Sequence, residues 1–217
     1  MTESQLDFSI RRLGEPKHHS PMQLGEVEGD GSADFVKDDA RVLYDIEADT
    51  YDQFQDADGH APSLERAGPR ARTYFRSSDT RAAIVTSGGL CPGINDVVRS
   101  VVLSLTYHYG VREIIGLRYG LRGFVDDKET PVRLSHDAVK YIHLQGGSFL
   151  GSSRGAPDTD EIVSFLDREA IQMLFMIGGD GTQRAVKAIS EAVREAGMKI
   201  AVIGIPKTVD NDILFVD

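Results

Sequence analysis

The segment from Gly178 to Thr182, Gly-Gly-Asp-Gly-Thr, combines residues suited to phosphate binding with one suited to a metal ion. It follows a continuous apolar run, Ile171–Ile177, which is typical of a strand buried on both faces of a parallel sheet. From Ala185 to Val193 apolar residues recur at helical spacing. The unpaired N–H groups and the dipole at a helix N-terminus favour phosphate. Asp180 would repel that phosphate unless a cation lay between them, so the segment predicts phosphate together with Mg²⁺.

Two other turns also follow predicted buried strands. The run at 81–86 leads into a glycine-rich turn at 87–93, and the run at 199–205 leads into Pro-Lys-Thr-Val-Asp-Asn-Asp at 206–212. Strands that alternate with helices indicate an α/β fold with a doubly wound, mostly parallel sheet. Ligands bind beyond the carboxyl ends of the strands in such sheets. We therefore expect the three turns to converge on one pocket.

The remaining elements complete this alternating pattern. A helix with Pro92 in its first turn, where a missing N–H group is tolerated, is predicted from the helical spacing of Val97, Val98, Val101, Val102 and Leu105. Glu113–Leu117 is a predicted strand. A further helix is expected over Asp158–Ala170, with Asp158 or Thr159 as its N-cap.

Composition separates the chain into two parts. The 217 residues carry a net charge of −10, and by count 17 acidic and nine basic residues fall within 1–80. We expect 1–80 to be a polar, acidic, irregular N-terminal extension, largely disordered over 1–30, and 81–217 to be an α/β domain that holds the phosphate site. The acidic balance argues against nucleic-acid and anionic-membrane partners.

The sequence also predicts a cytoplasmic location. Cys91 is the only cysteine, which excludes an internal disulfide framework and fits a reducing compartment. The first residues lack the basic and apolar regions of a signal peptide, and no apolar stretch approaches the length of a membrane span.

Phosphoryl transfer requires a cradle for the donor, Mg²⁺, positive charge on the migrating group and a base for the acceptor hydroxyl. The two glycine turns are candidates for the cradle, and Arg154, in a Gly/Ser-rich loop, is a candidate for the positive charge. Asp210 or Asp212 could accept the proton. Each also has a structural interpretation: Arg154 as a surface residue, the two aspartates as turn formers and Lys207 as a solvated charge.

Four segments together resemble 6-phosphofructokinases, most closely the plant and protist ATP-dependent branch. They are 86–95, 147–154, 178–182 and 206–212, and they occur in the family's order. The resemblance implies the N-terminal lobe of that family, with a Rossmann-like fold. It implies transfer of a phosphoryl group from Mg-ATP to the 1-hydroxyl of fructose 6-phosphate.

The resemblance also implies roles for individual residues. Donor binding is implied for Gly89, Arg154, Gly155, Gly179, Asp180, Gly181 and Thr182. Sugar-phosphate binding is implied for Lys207, Thr208, Val209 and Asp210. Asp210 is the implied general base, with Asp212 supporting it, Arg154 bridges the donor and the transferred group, and Asp180 is the implied Mg²⁺ ligand.

The donor is expected to be ATP. Glycine at position 181 accompanies ATP in the family and an acidic residue accompanies pyrophosphate, because a carboxylate would crowd and repel an α-phosphate. Lys207 points towards pyrophosphate, although the plant and protist ATP enzymes carry it too. Ala185 stands where glycine is expected, and its methyl group could crowd the ribose. Pyrophosphate dependence remains the alternative.

Other interpretations concern the length of the chain and other kinases. The resemblance covers about the first half of a family member, so the chain is expected to be a fragment without the second lobe and with little activity alone. The complete protein would be a homo-oligomer, a tetramer in the family. A non-catalytic nucleotide-binding or oligomerising fragment is an alternative. NAD kinases and diacylglycerol kinases share Gly-Gly-Asp-Gly-Thr but lack the segments resembling 86–95 and 206–212.

Overall fold

The computed structural model of the chain describes residues 8–25, 33–44, 63–155, 157–210 and 213. These residues fall into two compact units, Met1–Tyr74 and Phe75–Asp217. Of the stretch 1–30 that the sequence predicts to be largely disordered, 1–7 and 26–30 lie outside the described residues.

The first unit contains two short antiparallel ladders. In one, β1 (His18–His19) pairs with β4 (Arg72–Thr73), and in the other, β2 (Arg41–Leu43) pairs with β3 (Ser63–Glu65). An ion pair of 3.0 Å joins Arg12 to Glu65. Strands of two or three residues are too short to enclose an apolar core.

The second unit is built on one five-stranded sheet in the order β7-β6-β5-β8-β9. The strands are β5 (Arg81–Thr86), β6 (Glu113–Leu117), β7 (Val132–Arg133), β8 (Met173–Gly178) and β9 (Ala201–Pro206). All neighbours are parallel except the edge strand β7, which runs antiparallel to β6 and which the sequence did not predict. The predicted α/β fold with a mostly parallel sheet is confirmed.

Four α-helices are found in the described part of the second unit. They are α1 (Ile94–Leu103), α2 (His136–Val139), α3 (Thr159–Arg168) and α4 (Asp180–Glu195). A π-helical turn, Ser104–His108, extends α1, and 3₁₀ turns lie at Ser77–Asp79, Gly120–Phe124 and Ile142–Leu144.

The ends of two helices test the sequence predictions. Pro92 was wrongly expected in the first turn of α1: the helix begins at Ile94, because Gly93 adopts a left-handed conformation, with φ of 83°, that interrupts helical geometry. Asp158 is confirmed as the N-cap of α3, since its carboxylate accepts a hydrogen bond of 3.0 Å from the Asp160 N–H.

The core consists of two apolar layers, one on each face of the sheet. Successive residues of a strand point to opposite faces. Ala83 and Val85 of β5 therefore pack in the layer with residues of α3 and α4, whereas Ala82 and Ile84 pack in the layer with residues of α1 and α2. Burial on both faces explains why the central strands read as continuous apolar runs.

Within the part of the chain that the structure describes, none of the helices has the length and apolar character needed to cross a membrane.

The two-layer core predicts the cost of truncating one side chain of β8. Leu174 is completely buried, whereas Leu144 is 75% exposed in the same unit. We expect Leu174→Ala to lower the free energy of unfolding by about 2–5 kcal/mol, because it removes apolar contacts and leaves a cavity. Leu144→Ala, the matched control, should change it by less than about 0.5 kcal/mol. Urea unfolding followed by far-UV circular dichroism measures both, and equal effects would contradict the assignment of Leu174 to the core.

Candidate functional site

A cleft of about 500 Å³ lies at the carboxyl ends of β5, β8 and β9. It is lined by Ser87, Gly88, Gly89, Leu90, Cys91, Leu121, Ser153, Arg154, Gly155, Gly179, Asp180, Gly181, Thr182, Ala185, Lys207, Thr208, Val209 and Asp210. The structure thus brings together every residue for which the sequence suggested donor binding, sugar-phosphate binding or catalysis, apart from Asp212, which lies outside the described residues. Their individual roles remain predictions.

The first two loops are joined by direct hydrogen bonds. The Ser87 N–H donates to the Ile177 carbonyl at 3.0 Å, and the Thr182 hydroxyl donates to the Ser87 carbonyl at 3.2 Å. Thr182 is buried. Its hydroxyl therefore serves to hold the N-terminus of α4 against the loop that follows β5.

Gly178 makes this junction possible. A Cβ atom at this position would lie 2.2 Å from the Ser87 carbonyl oxygen and 2.4 Å from the Thr182 hydroxyl oxygen. Neither atom could give way easily, since one belongs to the backbone and the other to a buried side chain. The glycine is thus required for the close approach of the two loops.

The third loop is tied to the second through its backbone. The Lys207 N–H donates to the Gly178 carbonyl at 3.0 Å, and the Asp210 N–H donates to the Thr208 hydroxyl at 3.1 Å. The second of these bonds closes a turn of a kind that Thr often stabilises. Asp210 is exposed at the cleft, where a candidate base must be accessible.

The loop that carries Arg154 is held over the end of β5 by hydroxyl groups. The Thr86 hydroxyl donates to the Gly151 carbonyl at 2.7 Å and lies 2.8 Å from the Ser148 hydroxyl. The Ser152 hydroxyl donates to the Gly88 carbonyl. These bonds hold the loop in which Arg154 lines the cleft, together with the first residues of α4.

Asn95 fixes the start of the same loop, a role that sequence reasoning missed. Its amide donates to the Gln145 carbonyl at 3.0 Å, and its side-chain oxygen accepts from the Phe149 N–H at 2.7 Å. Asn95 is almost completely buried in α1, on the face of Val98 and Val102. The spacing could have revealed this role, because Asn95 precedes Val98 by three positions and Val102 by seven and therefore shares their buried face. A buried amide must find hydrogen-bond partners.

The side chains around the cleft include two acids and two bases. Asp180 and Asp210 provide negative charge, and Arg154 and Lys207 provide positive charge. Arg184, one helical turn further along α4, donates to the Asp180 carboxylate. The Asp180 carboxylate is thus paired with a cationic side chain.

The residues of the cleft fit a Mg²⁺ ion that is held by few protein carboxylates. Among the described residues, no group of three or more His, Cys, Asp or Glu side chains could hold a metal ion by itself. Mg²⁺ commonly takes only one or two protein carboxylates and completes its coordination with phosphate oxygens and water. Asp180 at the head of the cleft fits that mode.

Space at the first turn of α4 is unobstructed. A Cβ atom on Gly181 would meet no atom within 4 Å, whereas Ala185, one turn later, places its methyl group on the cleft wall. The cleft is therefore open at Gly181.

The crowding around Gly178 predicts the effect of one methyl group. We expect Gly178→Ala to lower the free energy of unfolding by about 1–3 kcal/mol, because the added carbon forces Ser87 and Thr182 apart. Gly181→Ala is the matched control, since it adds the same methyl group to open space three residues later and should be neutral or stabilising. Urea unfolding of both variants provides the measurement. If Gly178→Ala matched the wild-type protein, the proposed close packing of the loops would be wrong.

Comparisons with known proteins agree with this arrangement. Residues 81–217 match the family model for phosphofructokinase. The chain is 44% identical over 214 residues to the ATP-dependent 6-phosphofructokinase of Borreliella burgdorferi, and the match covers 97% of this chain and 46% of that protein. It is 50% identical over 154 residues to ATP-dependent 6-phosphofructokinase 5, chloroplastic, of Arabidopsis thaliana, and this match covers 71% of this chain and 28% of that protein.

A solved structure is similar as well. The pyrophosphate-dependent phosphofructokinase from Marinobacter aquaeolei is 26% identical, with a TM-score of 0.58 over 63% of this chain and 35% of that one. The chain therefore spans about half the length, or less, of the curated relatives it matches. From the sheet, the three converging loops and the match over 81–217, we conclude that the chain belongs to the phosphofructokinase family.

Proposed function

We propose that this chain provides the phosphoryl-donor site of an ATP-dependent 6-phosphofructokinase, which phosphorylates the 1-hydroxyl of fructose 6-phosphate. The observation that carries the proposal is the convergence of three strand-end loops on one cleft that holds Arg154, Asp180 and Asp210. The names of relatives that are 44% and 50% identical support the choice of reaction.

The donor phosphates would lie against the glycine-rich backbone of the first two loops. Gly89, Gly155, Gly179 and Gly181 present backbone without side chains at the cleft, and the N-terminus of α4 points its dipole there. Arg154, which also lines the cleft, would neutralise charge on the group in transfer, because its guanidinium can contact two phosphates at once.

Asp180 is the proposed Mg²⁺ ligand. When bound, Mg²⁺ would neutralise charge on the donor phosphates. The Asp180 carboxylate would hold the metal in exchange for its ion pair with Arg184. The exchange is inexpensive because Arg184 is 79% exposed and such a surface pair contributes little.

Asp210 is the proposed general base, and Thr208 and Val209 would face the sugar phosphate. The turn closed by the bond from the Asp210 N–H to the Thr208 hydroxyl keeps the carboxylate at the cleft. From there it would accept the proton of the attacking hydroxyl as the new bond to phosphorus forms.

Pyrophosphate as donor is the second candidate, and a specific observation favours it. The Lys207 side chain lines the cleft, and one solved relative is named as pyrophosphate-dependent. We place ATP first because Gly181 leaves open space where an acidic side chain would meet an α-phosphate. The homo-oligomeric state implied by the resemblance and the cytoplasmic location predicted from the sequence belong to the same proposal.

Replacement of the proposed base tests catalysis. In a coupled assay of the complete two-lobed protein that the resemblance implies, with Mg-ATP and fructose 6-phosphate, we expect Asp210→Asn to lower turnover by about 10²–10⁴-fold, because the amide cannot accept the proton. Calorimetry should give the same affinity for Mg-ATP in the variant and the wild-type protein. Turnover that survives the replacement would refute the role of Asp210, and binding of Mg-ATP without turnover would favour the nucleotide-binding alternative.

A charge placed beside the α-phosphate tests the choice of donor. We expect Gly181→Asp to weaken Mg-ATP binding at least about tenfold, since the carboxylate would crowd and repel the α-phosphate, and to spare Mg-pyrophosphate. Gly146→Asp introduces the same charge at an open position outside the cleft and should leave both affinities unchanged. Calorimetric titration of each variant with both ligands gives the result. Tighter binding of Mg-pyrophosphate than of Mg-ATP by the wild-type protein would reverse the assignment.

A further inference from the structure

The amine of Lys207 lies 3.3 Å from the sulfur of Cys91, although the two residues are 116 positions apart in the sequence. Both line the cleft, Cys91 is 8% exposed and Lys207 is half-buried. The contact joins the loop after β9 to the loop after β5. It is one of several bonds between strand-end loops, but it is the one that involves a charged side chain of the third loop.

The path of the lysine side chain is defined along its length. At its start, the Lys207 N–H is bonded to the Gly178 carbonyl. Near its end, a Cβ atom on Gly93 would lie 3.4 Å from Lys207 Cε and 3.6 Å from its Nζ. The lysine side chain therefore runs alongside Gly93 of the first loop before it reaches Cys91.

The partner at the end of this path is chemically weak. A thiol is a poor hydrogen-bond acceptor and carries no opposing charge. Among the carboxylates that the structure describes, none forms an ion pair with Lys207. The ammonium is consequently ordered without being neutralised, and its charge remains available to an anion in the cleft.

We propose that Cys91 is a positioning residue that holds the Lys207 ammonium beside the first glycine loop, where the lysine contacts a phosphate of the bound donor. This inference rests on the proposed function, because it requires a phosphate in that part of the cleft. Cys91 acts through Lys207 and need not touch the donor.

Calorimetry on the complete 217-residue chain tests the proposal with Mg-ATP and Mg-pyrophosphate as ligands. We expect Cys91→Ala to weaken the binding of both by about three- to tenfold, the range of one ordinary hydrogen bond. Cys91→Ser should restore most of the affinity, since a hydroxyl oxygen also accepts from an ammonium group. Lys207→Met, which keeps the length of the stem, should weaken binding at least as much as Cys91→Ala.

The decisive measurement is the double variant, Cys91→Ala with Lys207→Met. A positioning role predicts that removing Cys91 causes no further loss once Lys207 is absent. An equal loss in both backgrounds would overturn the proposal, because Cys91 would then act through packing of the loop. Cys91→Ser keeps the question open to experiment if the alanine variant does not fold, and a serine variant as weak as Lys207→Met would also refute it.

The outcomes separate this inference from the proposed function. If Mg-ATP and Mg-pyrophosphate both fail to bind the wild-type chain, the donor site is wrong and the positioning role is wrong with it. If a donor binds and Cys91→Ala leaves its affinity unchanged, only the role of Cys91 is refuted.

Discussion

The parallel register of β5, β8 and β9 is the constraint on which the rest of the structure depends. Thr86 pairs with Ile177, and Gly178 pairs with Pro206, so the three strands end within about one residue of one another. In a parallel sheet all such ends lie at the same edge. The loops that follow them therefore meet, and a cleft lined by their backbones forms there.

Close contact between these loops depends on small residues and hydroxyl groups. Gly178 admits the Ser87 carbonyl, and the hydroxyls of Thr182 and Ser152 donate to carbonyls of the first loop. Each bond satisfies a backbone carbonyl that a loop would otherwise leave to solvent. The same bonds fix the loops before any ligand arrives, and preorganisation of this kind lowers the cost of stabilising transferred charge.

Charge at the cleft is balanced through partners that can be exchanged. Asp180 is paired with Arg184 on the surface of α4, and Lys207 is held by the thiol of Cys91. The Asp180–Arg184 ion pair is exposed, and the Lys207–Cys91 contact involves no carboxylate. Under the proposed function, such weak partners would leave Asp180 available to a metal ion and Lys207 available to phosphate.

The sequence by itself determined the α/β class, the central strands and most of the residues that surround the cleft, and it narrowed the N-cap of α3 to Asp158 or Thr159. These follow from local signals: apolar runs of strand length, helical spacing, and glycine turns at strand ends. The edge strand β7 and the start of α1 at Ile94 escaped prediction, because a two-residue strand has no periodicity and the left-handed conformation of Gly93 is decided by its surroundings.

Only the tertiary structure decided which side chains support the site. Asn95 reaches Gln145 and Phe149, and Lys207 reaches Cys91, across separations of 50 to 116 residues. No pattern in a single sequence records such pairs, because the sheet that brings them together forms from pairings between distant segments.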